Sequence, residues 1–119
     1  MFLEKLSTVS NRIAGSRALC LVDRDGILVE SVSSDSELDL DLLAAELVAQ
    51  TQAISEDQRD LDVGPVHQLT IVTDQLTLIV SAAGYDYFLL LIMEPESNQG
   101  RARFELRRAR LILEDELAV

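Results

Sequence analysis

The sequence predicts an α+β domain in which helices lie around one five-stranded antiparallel sheet. Three observations predict it. Five short extended runs are separated by turn signals. Three other segments carry apolar residues at helical spacing. The two kinds follow one another as α-β-β-α-β-β-β-α. The chain has 119 residues, a length that fits a single domain over 1–119.

The first helix rests on Phe2, Leu6, Val9 and Ile13, which share one face, and Gly15 is placed to end it. Arg17–Asp23 and Ile27–Val32 are extended runs joined by Asp25-Gly26, a corner suited to the positive φ of a tight hairpin. Ser33–Glu37 supplies helix-capping groups. After the second helix comes a charged loop, Ser55–Asp62. Val66–Val72, Leu76–Val80 and Tyr87–Met93 then form a three-stranded meander, with turns at Asp74-Gln75 and Gly84–Asp86. Tyr87–Met93 is apolar on both faces and belongs in the middle of the sheet. Val66–Val72 belongs at an edge, where Pro65 and His67 are tolerated. The last helix runs from Arg101 to Leu117, with Ala102, Leu106, Ala109, Leu113 and Leu117 on one stripe. The outer helices are expected on one sheet face and the long central helix on the other.

The central helix, Leu38–Ile54, is the most informative segment. At 100° per residue, Leu38, Leu42, Ala45, Ala49 and Ala53 fall in a sector about 80° wide. Leu40, Leu43, Ala44, Leu47, Thr51 and Ile54 fall in the opposite sector, and Val48 falls in a polar strip between them. A surface helix of a small monomer needs one apolar face, and this one has two. The larger side chains are assigned to the domain's own sheet. The Ala-rich face allows close helix approach and predicts a two-fold homodimer. The Val66–Val72 edge adds a second surface for pairing. The expected dimer interface is therefore Leu38, Leu42, Ala45, Ala49 and Ala53 from the helix, with His67, Leu69 and Ile71 from the edge strand.

Composition removes several function classes. Lys+Arg number 10 against Asp+Glu 21, a formal net charge of −11. Such a chain, without a basic tract, is a poor nucleic-acid binder. No apolar run reaches the ~20 residues of a membrane span, and the N-terminus lacks the order of a signal peptide. A lone Cys20 makes no internal disulfide, and the expected compartment is the cytoplasm. Asp23-Arg-Asp25-Gly26 lacks the third acidic position and closing Glu of a calcium loop, so no metal is expected. His67 has no nucleophile near it in sequence. The five glycines, at 15, 26, 64, 84 and 100, form no phosphate-cradling loop, so no cofactor is expected. The carboxylates Asp57, Asp60 and Asp62 read as a solvated loop.

One charge feature stands apart. Arg101, Arg103, Arg107, Arg108 and Arg110 open the last helix, and Glu114, Asp115 and Glu116 close it. This order opposes the helix dipole, at about 0.3–1 kcal/mol per exposed charge. The reading favoured by the sequence is a solvated or internally paired face. The functional reading is a docking site for an acidic partner.

Several segments together resemble the Roadblock/dynein light chain domain family. They are Ala18–Gly26, the helix Leu38–Ala53, Gln68–Ile71, Tyr87–Leu91 and Asn98–Arg103. The entry to the last helix is most similar to the bacterial MglB-like branch. The resemblance implies a profilin-like fold and a homodimer joined through the central helix and third strand. It also implies a non-catalytic regulator of a Ras-like small GTPase (MglA-type) in cell-polarity systems. The alternative it implies is a structural adaptor of the dynein light chain type that leaves nucleotide turnover unchanged.

Overall fold

The computed structural model describes residues 2–117, and the side chains of all of these except Phe2, Asp57, Gln58, Arg59 and Leu117. The elements are α1 (Phe2–Arg12), β1 (Ser16–Asp23), β2 (Leu28–Ser33), α2 (Leu40–Asp57), a 3-10 turn (Gln58–Leu61), β3 (Gln68–Val72), β4 (Thr77–Ala83), β5 (Tyr87–Met93) and α3 (Gln99–Leu117). The five strands form one antiparallel sheet in the order β2-β1-β5-β4-β3. β5 therefore sits at the centre and β3 at an edge, as their apolar patterns predict.

Period-two alternation divides the strands between two cores. Leu19 and Leu21 of β1, Ile79 of β4, and Leu89, Leu91 and Met93 of β5 pack under α1 and α3. Ala18, Cys20 and Val22 of β1, with Leu78, Val80, Leu90 and Ile92, pack under α2. Sheet residues are thus buried on both sides, and each helical layer needs one apolar stripe.

Side-chain caps set the helix starts. α2 begins at Leu40 because Asp39 Oδ1 accepts the Leu42 amide hydrogen at 3.1 Å. The Ser33–Glu37 segment forms its own turn instead, with Asp35 Oδ1 accepting the Glu37 N–H. α3 begins at Gln99, where Asn98 Oδ1 accepts the Arg101 N–H at 3.0 Å. The segment expected to be a charged loop continues α2 to Asp57 and then makes the 3-10 turn. Glu, Gln and Arg are adequate helix formers, so charge did not end the helix. β3 begins at Gln68, two residues later than expected, although the His67 carbonyl still accepts the Ala82 N–H.

The β1–β2 corner positions α2. Asp23 Oδ1 accepts the backbone N–H groups of Asp25 and Ile27 at 2.9 and 3.0 Å. Gly26 has φ +82°, and a Cβ on it would lie 3.0 Å from Ala45 Cα. Gln52 donates to the Arg24 carbonyl beside it. On the same helix Val48 is buried in the α2-side core and not in a polar strip. Gly26→Ala should destabilise the protein by about 1–3 kcal/mol, the range for a strained left-handed residue. Urea denaturation measures this, and an unchanged midpoint would contradict the close approach.

Candidate functional site

The α2 helix has one face in the core and one in solvent. Ala44, Leu47, Val48 and Thr51 are buried, while Leu40, Leu43 and Ile54 are half-buried. On the opposite side Leu42, Ala45, Ala49 and Ala53 are exposed, Leu42 at 57%. The β1–β2 corner touches the Ala45 backbone, and the four side chains of the stripe remain exposed. Leu38 precedes the helix and packs, half-buried, against the α2-side core. Leu69 and Ile71 of β3 pack half-buried on that same side, and His67 is exposed just before the strand. The exposed stripe and the β3 edge therefore belong to one side of the sheet.

The remaining candidates for chemistry are used by the fold. The Asp23 carboxylate is occupied by turn amides. Gly15, Gly26 and Gly84 have positive φ at turns, Gly64 has positive φ in the irregular segment before β3, and Gly100 lies in α3. Asp60 and Asp62 are exposed, and the Asp57 side chain lies outside the described residues. Among the described residues no group of three His, Cys, Asp or Glu side chains converges as a metal site. No described helix is long and apolar enough to cross a membrane. His67 lines an open concavity of about 810 Å³ with Tyr85, Arg110 and Glu114. Glu114 Oε1 accepts the Gly84 N–H there at 2.9 Å, so that carboxylate closes a turn.

The α3 charges settle into an arrangement the sequence did not expose. Glu105 is 0% exposed, at the margin of the buried stripe. Arg101 and Arg108 approach its Oε1 at 3.1 and 3.6 Å, and Arg12 of α1 approaches Oε2 at 4.0 Å. Arg101 and Arg108 also stand over the exposed Phe104 ring, 5.7 and 5.9 Å from its centroid. The sequence signal was an Arg four residues before and another three residues after one Glu. Sequence spacing alone did not reveal that α1 would close over that Glu. Part of the α3 charge is thus internally paired, as expected, and by a residue of α3 itself.

Cys20 lies in the α2-side core at 0% exposure. Burial pushes its thiol up to about 12, and the nearby Asp41 charge adds to the shift. Its protonated form is the one the fold favours. Stability from Cys20 is therefore complete below the ordinary thiol range and is lost as pH rises toward about 12. Native protein should leave Cys20 unreactive toward a thiol reagent such as DTNB at pH 8, and urea should release full reactivity. Rapid native labelling would contradict its burial. For the Glu105 cluster, Arg101→Ala combined with Arg108→Ala should cost about 3 kcal/mol in urea denaturation by stranding a buried charge. Glu105→Leu should cost much less, because the guanidiniums it frees can be hydrated. Equal losses from both would contradict the burial asymmetry.

Comparison with known proteins gives this architecture its family. The Roadblock/LC7 domain matches residues 3–93. A Roadblock/LC7 domain structure from Streptomyces avermitilis superposes with a TM-score of 0.89 at 19% identity, covering 98% of both chains. MglB from Myxococcus xanthus superposes with a TM-score of 0.89 at 16% identity, covering 98% of this chain and 94% of that one. MglC from Myxococcus xanthus is 28% identical with a TM-score of 0.71, covering 97% and 98%. No curated protein sequence matches the chain. With its central five-stranded sheet between one long helix and two terminal ones, the chain belongs to the Roadblock/LC7 domain family.

Proposed function

We propose that the protein is a homodimeric accessory regulator that binds a Ras-like small GTPase and modulates its nucleotide hydrolysis or localisation. The observation that carries this reading is the exposed apolar stripe of α2, Leu42, Ala45, Ala49 and Ala53, together with a β3 edge that has no strand on its outer side. Contiguous apolar surface of this kind marks a partner site. A two-fold axis through the stripe would bury it against its own copy and bring the two β3 edges together. The paired helices would then form a platform from which the GTPase is held. Both the Roadblock family and the likeness to MglB and MglC support a regulatory role.

A Ras-like GTPase encoded beside this chain is the direct test substrate. Its single-turnover GTP hydrolysis should accelerate when the protein is added. Ala49→Arg puts a charge into the desolvated stripe, so dimer formation and the acceleration should be lost together, with an expected cost of several kcal/mol to the dimer. Tight binding with unchanged hydrolysis would replace regulation by an adaptor role. Retained dimerisation in Ala49→Arg would refute the interface.

A further inference from the structure

We infer that the face formed by α1 and α3 is a second docking surface, which takes an acidic amphipathic segment of another protein. This surface goes beyond the reading above, because it lies on the opposite side of the sheet from α2. Between the two helices runs an open groove of about 380 Å³. Its floor is apolar, formed by Leu6, Val9, Ala109 and Leu113, and Ile112 stands on its wall. Arg12 and Arg108 line it as cations, Lys5 lines it paired to Glu116, and Glu4 is the acid among its described lining residues. Phe104 and Leu111 extend apolar surface along the outward side of α3, at 54% and 56% exposure.

Three features point to an acidic occupant. The first is charge. In a chain of net charge −11, three guanidiniums gather around one carboxylate, leaving this site locally positive. The second is preorganisation. Glu105 lies wholly buried beneath them, while the Arg12, Arg101 and Arg108 side chains stay 44%, 55% and 47% exposed. The three guanidiniums stand within 4.0 Å of the Glu105 carboxylate as ion pairs. Arginines already held in place lose less conformational freedom when a carboxylate docks. The third is the apolar floor between the cations, which suits a segment with apolar side chains on one face and acids along its flanks. A second copy fits less well, because a two-fold pairing of this face would set like charges opposite one another. A flat membrane surface does not enter a groove between two helices, whereas a single segment does.

The test uses the full chain and a fluorescent synthetic peptide of roughly five helical turns. The peptide carries leucines at i, i+3 and i+7 flanked by glutamates, and a scrambled peptide of equal composition is the control. Anisotropy should show saturable binding of the patterned peptide and at least tenfold weaker binding of the scrambled one. Affinity should fall with added salt. Ile112→Asp and Arg12→Gln should each weaken binding about tenfold, the loss of one good contact. Arg12→Gln leaves Arg101 on Glu105 and so keeps the fold if Ile112→Asp does not. Arg103→Gln and Ala49→Arg should bind as the parent does, which separates this surface from the α2 interface. Equal binding of both peptides, or full affinity in Arg12→Gln, would overturn the inference. So would Arg12-dependent binding to phosphatidylserine vesicles without binding to the peptide, or Arg12-dependent self-association.

Discussion

A helix with apolar residues on opposite flanks can place only one of them against its own sheet. In α2 that flank is taken by Ala44, Leu47, Val48 and Thr51, over strands whose period-two alternation leaves no side of the sheet uncovered. The remaining flank faces outward as a row of one leucine and three alanines. Alanine buries little area in any packing, so such a row gains most where backbones come close. Neither α1 nor α3 can reach it, since both are committed to the other side of the sheet. The location of β3 at the sheet edge follows from the same topology, and Leu69 and Ile71 of that strand pack on the α2 side of the sheet.

The two sides of the sheet are also different in charge. The α2 side has Asp39, Asp41, Glu46 and Glu56 exposed along its helix. On the α3 side, Arg12, Arg101 and Arg108 gather over Glu105. A small domain with one sheet thereby presents two surfaces of distinct chemistry, and the sheet holds them apart. The reversed charge order of α3 opposes its own dipole. Part of that cost is offset within the protein by the Glu105 cluster and by Arg110 beside Glu114.

Much of this architecture was legible because it depends on short-range periodicity. The Ala18–Val22 and Phe88–Met93 runs alternate between the two cores residue by residue, and Asp25-Gly26 placed the hairpin turn where φ is positive. The exposed α2 stripe followed from the helical period alone. What could not be read depends on distant segments. Val48 is buried in the α2-side core, and the Gly26 turn, distant in sequence, packs against the same helix at Ala45. The strand read from the sequence as Leu76–Val80 stops short of Ser81 and Ala83, yet these pair with Gln68, Leu89 and Tyr87, so β4 runs to Ala83. Pairing partners on both sides override the weak strand preference of small residues. The burial of Glu105 depends on α1, far away in sequence, and a charged helix surface gives no sign of it.

The mass of the unaltered protein in solution tests the central claim most directly. Sedimentation equilibrium over a micromolar concentration range should give twice the chain mass of 13.2 kDa, with both α2 stripes out of water. A particle that stays at 13.2 kDa throughout that range would mean that solvent covers the alanine row, and the account would fail there.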